Sequence, residues 1–170
     1  MRSHSDLEAA IGEFPRLLNE LVAGEVFGRG AGRTAPPRQK GIYLFTELGR
    51  HLYTGRVAIT ERAKARGSEG WSNFRTRLAA HTRPSSGQTS ASFAFRLAVE
   101  AVGDSIENLP TTRAAREAHE DFARVFAEQK ERVTATDFRV VRIDDEFANY
   151  VFEPYAAFRL ETPYNSWATS

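Results

Sequence analysis

Apolar residues first recur at helical spacing, as Leu7, Ile11, Phe14, Leu18 and Leu21, behind a Ser5-x-x-Glu8 stretch of capping-box form. Pro15 within that run predicts a kink or a restart at a first-turn proline, and Gly24 a stop. Residues 28–40, with Gly28, Gly30, Gly32, Pro36 and Pro37, read as a linker. Gly41–Thr46 and Leu52–Val57 predict two strands around a short turn containing Gly49. Residues 58–71 are polar and weakly patterned, a loop with room for one helical turn. Ser72 or Asn73 then caps a helix to about His81, and Thr82–Thr89 is another loop.

A helix follows from about Ser90 to Val102. A longer one from about Thr112 to Val133 turns Ala115, Ala118, Phe122, Val125, Phe126 and Val133 inward. Glu120/Arg124 and Glu128/Arg132 sit outside it as i,i+4 pairs, with His119 on the exposed surface. Phe138–Ile143 reads as a third strand, and Asp145 to Leu160 as a last helix. Mixed helices and strands in this order define an α+β chain.

Three places in this pattern carry candidate chemistry. Nine residues separate Tyr43 from Tyr53. If the strands close around Gly49, Tyr43 faces Gly55 and Phe45 faces Tyr53. The two phenols are then diagonal neighbours on one face, roughly 7–8 Å apart. Gly41 and Gly55 would leave the backbone open beside them, although tyrosine is also simply a good strand residue. In the helix after Ser72, the inward stripe is Phe74, Arg77, Leu78 and His81. Two polar members there either line a cleft or mark a partly exposed edge, since burying them without partners is costly. Third, Glu153 stands alone among Tyr150-Val151-Phe152 and Pro154-Tyr155. It could ligate a hard cation such as Mg²⁺ or cap a helix restarting at Pro154.

With 170 residues, 41% hydrophobic, the chain can bury a real core. It has no stretch apolar enough for a membrane span, and Met1–Asp6 lacks the apolar segment of a secretory signal. Zero cysteines exclude disulfides, thiolate metal sites and cysteine nucleophiles. A cytoplasmic domain without membrane contact is expected. The formal net charge of +1 conceals an uneven distribution, because residues 26–99 hold 13 Lys/Arg against Glu47, Glu61 and Glu69 alone. Such a segment suits a phosphate-binding face. An overall preference for arginine would also produce it.

In their order, these residues resemble the GIY-YIG nuclease family. Gly41-Ile42-Tyr43 and Tyr53-Thr54-Gly55 are similar to its signature, with Thr54 for the usual Ile. Asn73-Phe74-x-x-Arg77-x-x-x-His81 resembles its next helix, Glu153 its metal-binding Glu, and Tyr164-Asn165 its Asn element. Ser90–Phe95 and Tyr155-Ala156-Ala157 also look like bacterial members. The resemblance implies a small three-stranded antiparallel sheet flanked by helices. Residues 1–39 would be an N-terminal helical extension and linker, 40–170 the nuclease domain, and 103–135 a helical insertion serving as lid, partner surface or padding.

The activity so implied is metal-dependent hydrolysis of DNA phosphodiesters by an endonuclease of restriction or defence type. Glu153 would hold Mg²⁺ or Mn²⁺, and Tyr43 would act on the attacking water as general base or by positioning it. Arg77 would stabilise phosphate charge, and Tyr53 and His81 would hydrogen-bond the phosphate or nucleophile. Lys40, Arg75, Arg83 and Asn165 are substrate-side candidates, with Asn165 suited to fixing the architecture. Because Gly55 to Arg77 is longer than usual in the family, Arg62 competes for the Arg role. Arg77 is preferred because Phe74 and His81 accompany it. His51 is secondary, with a surface reading favoured. Two other readings are a non-catalytic DNA-binding module and a subunit docked to a protein partner through 103–135, and a homo-oligomer would suit symmetric cutting of both strands.

Overall fold

The computed structural model describes residues 4–29, 32–57, 73–106 and 109–165. Strands β1 (Gly41–Glu47), β2 (Arg50–Val57) and β3 (Asp137–Arg142) form one antiparallel sheet in the order β2-β1-β3. Leu48 and Gly49 join β1 to β2 with φ of 50° and 79°. Two positive φ values in a two-residue loop give the type I′ geometry, whose twist matches that of paired strands. Tyr43 lies opposite Gly55 and Phe45 opposite Tyr53, as the alternation predicts. Beyond that pair the register slips, with Thr46 facing His51, so Leu52 is an extra residue on β2. The bulge turns Leu52 into the core. At the start of β1, Gly41 has φ 142°, and a side chain there would also strike the Val141 carbonyl on β3.

The central strand β1 is covered on both faces, which is why Ile42–Phe45 reads as an unbroken apolar run. Helices α1 (His4–Gly12), α2 (Phe14–Ala23) and α7 (Glu146–Arg159) lie on one side. There Phe14, Leu17, Leu21 and Phe152 pack on Ile42, Leu44 and Val141. Pro15 occupies the first turn of α2, so the chain restarts there, and Gly24 caps its end. On the other side lie α3 (Phe74–Thr82), α4 (Ser92–Val102) and α6 (Glu120–Ala135). They bury Phe74, Phe93, Phe95, Phe122 and Phe126 with Tyr43, Phe45 and Phe138. Both the N-terminal extension and the 103–135 insertion are therefore walls of the core.

Three expectations are corrected. The long helix from Thr112 is two, α5 (Arg113–Ala118) and α6, separated at His119, whose backbone is extended. The break leaves Ala115 and Ala118 exposed and makes His119 half-buried, its Nδ1 without a hydrogen-bond partner among the described residues. Arg132 bonds Glu47 of β1 through both carboxylate oxygens, at 2.9 and 2.6 Å, while Arg124 pairs with Asp121 and Glu128. Finally, α7 continues through Pro154, with Asp145 as its cap, so Glu153 lies mid-helix and caps nothing. Proline there removes only one backbone donor, and the carbonyl left over belongs to exposed Tyr150, within reach of water. The 58–71 loop, and Ser72 with it, lie outside the described residues. Among the described residues no helix is long and apolar enough to cross a membrane.

Candidate active site

Tyr43 and His81 form the centre. Tyr43 points from β1 toward α3, and its hydroxyl meets His81 Nε2 at 2.9 Å. Tyr43 is 1% exposed and His81 0%. The space for both exists because Gly55, across the ladder, has no side chain, and the Tyr43 phenol fills the room a Cβ would take. The glycine therefore seats the phenol in the core; it does not open the backbone to solvent. Burial, helped by the nearby Arg77 charge, pushes the His81 pKa down to about 3. The imidazole is neutral near neutrality and exchanges one hydrogen bond with Tyr43, while its buried Nδ1 has no hydrogen-bond partner among the described residues. Burial also raises the Tyr43 phenol well above its ordinary range, with Tyr53 and Glu153 adding to the rise and Arg77 opposing it. Tyr43 is thus held as a phenol.

Beside it, the Tyr53 ring lies 6.3 Å from that of Tyr43, as the diagonal register requires. Phe93 stacks on Tyr53 at 5.1 Å with an 11° interplanar angle, and the Tyr53 hydroxyl meets Ser92 Oγ at 3.3 Å. Ser92 was not singled out by the sequence. It opens α4, and only the packing of α4 on β2 brings it to Tyr53.

Glu153 comes from the helix on the other face. Its carboxylate lies 3.4 Å from Arg56 Nε, and the Arg56 guanidinium stacks 4.4 Å over the Tyr150 ring. Burial raises the Glu153 pKa above the usual carboxylate value, with Arg56 and Arg77 pulling it back. Arg77, half-buried one turn before His81, thus acts on Tyr43, His81 and Glu153 together. Arg56 is a second residue the sequence reading passed over. Strand alternation puts it opposite Ile42, on an otherwise apolar face, and a charge there is the signal that it has a partner.

Among the described residues no three His, Asp or Glu side chains converge on one point. A single hard carboxylate nevertheless suits Mg²⁺, which retains waters and commonly takes one or two carboxylates plus substrate phosphate. Glu153 is of that type, once its carboxylate is shared with or released from Arg56.

Asn165 stands apart from this group and clasps the outer edge of β2. Its Oδ1 accepts from Thr54 N, its Nδ2 donates to Thr54 O, both at 2.8 Å, and Thr162 Oγ1 donates to the same Oδ1. The side chain pairs with the strand as another peptide would. Asn165→Ala is expected to destabilise the fold by about 1–3 kcal/mol. Urea denaturation checks this, and an unchanged midpoint would show the clasp to be dispensable.

Arg75 donates to the Pro36 carbonyl at 3.3 Å, tying the linker to α3. Arg83 is exposed just past α3, and half-buried Lys40 precedes β1. None of the three has a hydrogen bond to the tyrosine group among the described residues. His51 lies on β2 near Thr46, Nδ1 to Oγ1 3.4 Å, and Arg62 falls outside the described residues. No protein-family model, curated protein or solved structure matches the chain.

Proposed function

We propose that this chain is a GIY-YIG-type endonuclease that hydrolyses DNA phosphodiesters with Mg²⁺ or Mn²⁺. The observation that carries the reading is the hairpin register, which sets Tyr43 against Gly55 and beside Tyr53, with His81 bonded to Tyr43. Arg77 and Glu153 lie within electrostatic reach of that group. The family-like order of the motifs thus coincides with a spatial cluster drawn from β1, β2, α3 and α7.

A cation on Glu153 would supply Lewis-acid stabilisation of charge on the phosphate and the leaving oxygen. In this reading Tyr43, a buried phenol hydrogen-bonded to His81, acts by position and not as a base on the attacking water. That is the positioning alternative to general-base action, and the raised phenol pKa favours it. Arg77 offers its planar donor fork to the phosphate oxygens. Tyr53, oriented by Ser92 and Phe93, supplies a hydrogen bond to phosphate or nucleophile.

Incubating purified protein with supercoiled plasmid in Mg²⁺, Mn²⁺ or EDTA tests the reading. Metal-dependent nicking or linearisation is expected, falling about 10³-fold in Glu153→Ala, equivalent to several kcal/mol of barrier. Equal cutting by both proteins would remove Glu153 from the site. A second reading, the non-catalytic DNA-binding module, is favoured by the Arg56–Glu153 pair, which occupies the carboxylate. Salt-sensitive DNA binding without cleavage in any metal would support it.

A further inference from the structure

The 103–135 insertion reaches the rim of the tyrosine group. A cavity of about 440 Å³ has Phe95, Arg96, Glu100, Arg113 and Tyr164 in its lining, and Tyr164 packs on Phe93, the ring stacked on Tyr53. Arg96 comes from α4, one turn beyond Ser92, the residue bonded to Tyr53. Arg113 opens α5 of the insertion. Its guanidinium stacks 4.6 Å over the Phe95 ring and donates to the Gln88 carbonyl at 2.9 Å. Arg96 has no carboxylate or hydrogen-bond partner among the described residues, although it is half-buried.

The two cations are close enough to repel. Burial and Arg96 both lower the Arg113 pKa, while Tyr53 and Glu117 oppose them. Two acids offset part of this charge, and each is itself engaged by another group. The Glu117 carboxylate accepts from Gln88 N at 3.3 Å, and Glu100 takes the Tyr164 hydroxyl hydrogen bond and faces Arg132. Two guanidiniums at one cavity, Arg96 half-buried and Arg113 exposed, suit an anion that bridges them through charge-assisted hydrogen bonds.

We propose that Arg96 and Arg113 form a DNA phosphate clamp, gripping a backbone phosphate adjacent to the one presented to Tyr43, Tyr53 and Arg77. The clamp rests on the nucleic-acid reading of that site and gives the insertion a role in substrate binding. It carries no sequence information, only register and affinity.

The test is the salt dependence of binding to a fluorescein-labelled DNA duplex, followed by anisotropy in EDTA so that nothing is cut. Arg96→Ala and Arg113→Ala are each expected to weaken binding roughly tenfold and to lower the log–log salt slope by about one. Arg124→Ala, on the exposed face of α6, should leave both unchanged. Arg113→Lys retains the charge and should recover the slope. If Arg113→Ala melts early because its Gln88 bond is lost, Arg96→Ala carries the test alone. Unchanged slopes in both alanine variants overturn the clamp, and plasmid cleavage reports separately on the nuclease. A chain that binds through both arginines without cutting keeps the clamp and loses the nuclease; one that binds no DNA loses both.

Discussion

Gly55→Ala should reduce plasmid cleavage by about 10²-fold or more and destabilise the fold by about 1–3 kcal/mol. The added methyl would overlap the Tyr43 hydroxyl oxygen and the ring carbon that bears it. Tyr43 has nowhere to retreat, because Phe138 stacks on it at 5.3 Å and His81 holds its hydroxyl. Something must shift, and either the β1–β2 ladder opens or the phenol leaves its place beside Tyr53. A displacement of about 1 Å in a positioning group is enough for the larger effect. Gly12→Ala makes the contrast, since no described residue lies within 4 Å of a Cβ there. Native-like cleavage and melting in Gly55→Ala would mean that the Tyr43 seat is not what the site depends on.

The second large effect is on acid stability. His81 is neutral in the fold, with a pKa of about 3 against an ordinary 6.5. Between those values the unfolded chain binds a proton that the folded chain refuses. Its contribution is therefore complete above pH 6.5 and is lost progressively as pH falls toward about 3, where the native imidazole also protonates. The loss amounts to roughly 3–5 kcal/mol over that window. His81→Gln cannot titrate, so its stability should fall less steeply between pH 6.5 and 4 than that of the unsubstituted chain. Urea midpoints measured across this range decide the matter. Parallel curves would show that His81 does not carry the acid response.

Much of the hairpin was legible. Strand alternation has a period of two, and closing the strands around Gly49 sets Tyr43 against Gly55, but the two-residue turn reaches that register only through the Leu52 bulge, which the spacing did not reveal. The helix after Asn73 was equally readable, because Phe74, Leu78 and His81 occur at helical spacing behind a residue whose side chain accepts from Thr76 N at 3.1 Å. The His119 break was not readable, since neither proline nor glycine interrupts the sequence there. It follows from two anchorages in different directions. Arg113 and Glu117 tie α5 to Gln88, while Phe122 and Phe126 draw α6 onto Phe95. Pro154 misled in the other direction, because a proline in mid-helix is tolerated when the freed carbonyl faces water.

By itself, the sequence determined the order of the strands and of most helices, the pairing of Tyr43 with Gly55 and most of the candidate polar residues, because each rests on local periodicity and spacing. Only the tertiary structure decided their states. Burial between β1 and α3 makes Tyr43 a hydrogen-bonded phenol and His81 a neutral imidazole. Packing of α7 across the sheet gives Glu153 the counter-ion Arg56, and docking of the insertion brings Arg113 beside Arg96. Protonation and ion pairing depend on solvent access and on charges supplied by residues distant in the chain. Spacing along a sequence contains neither.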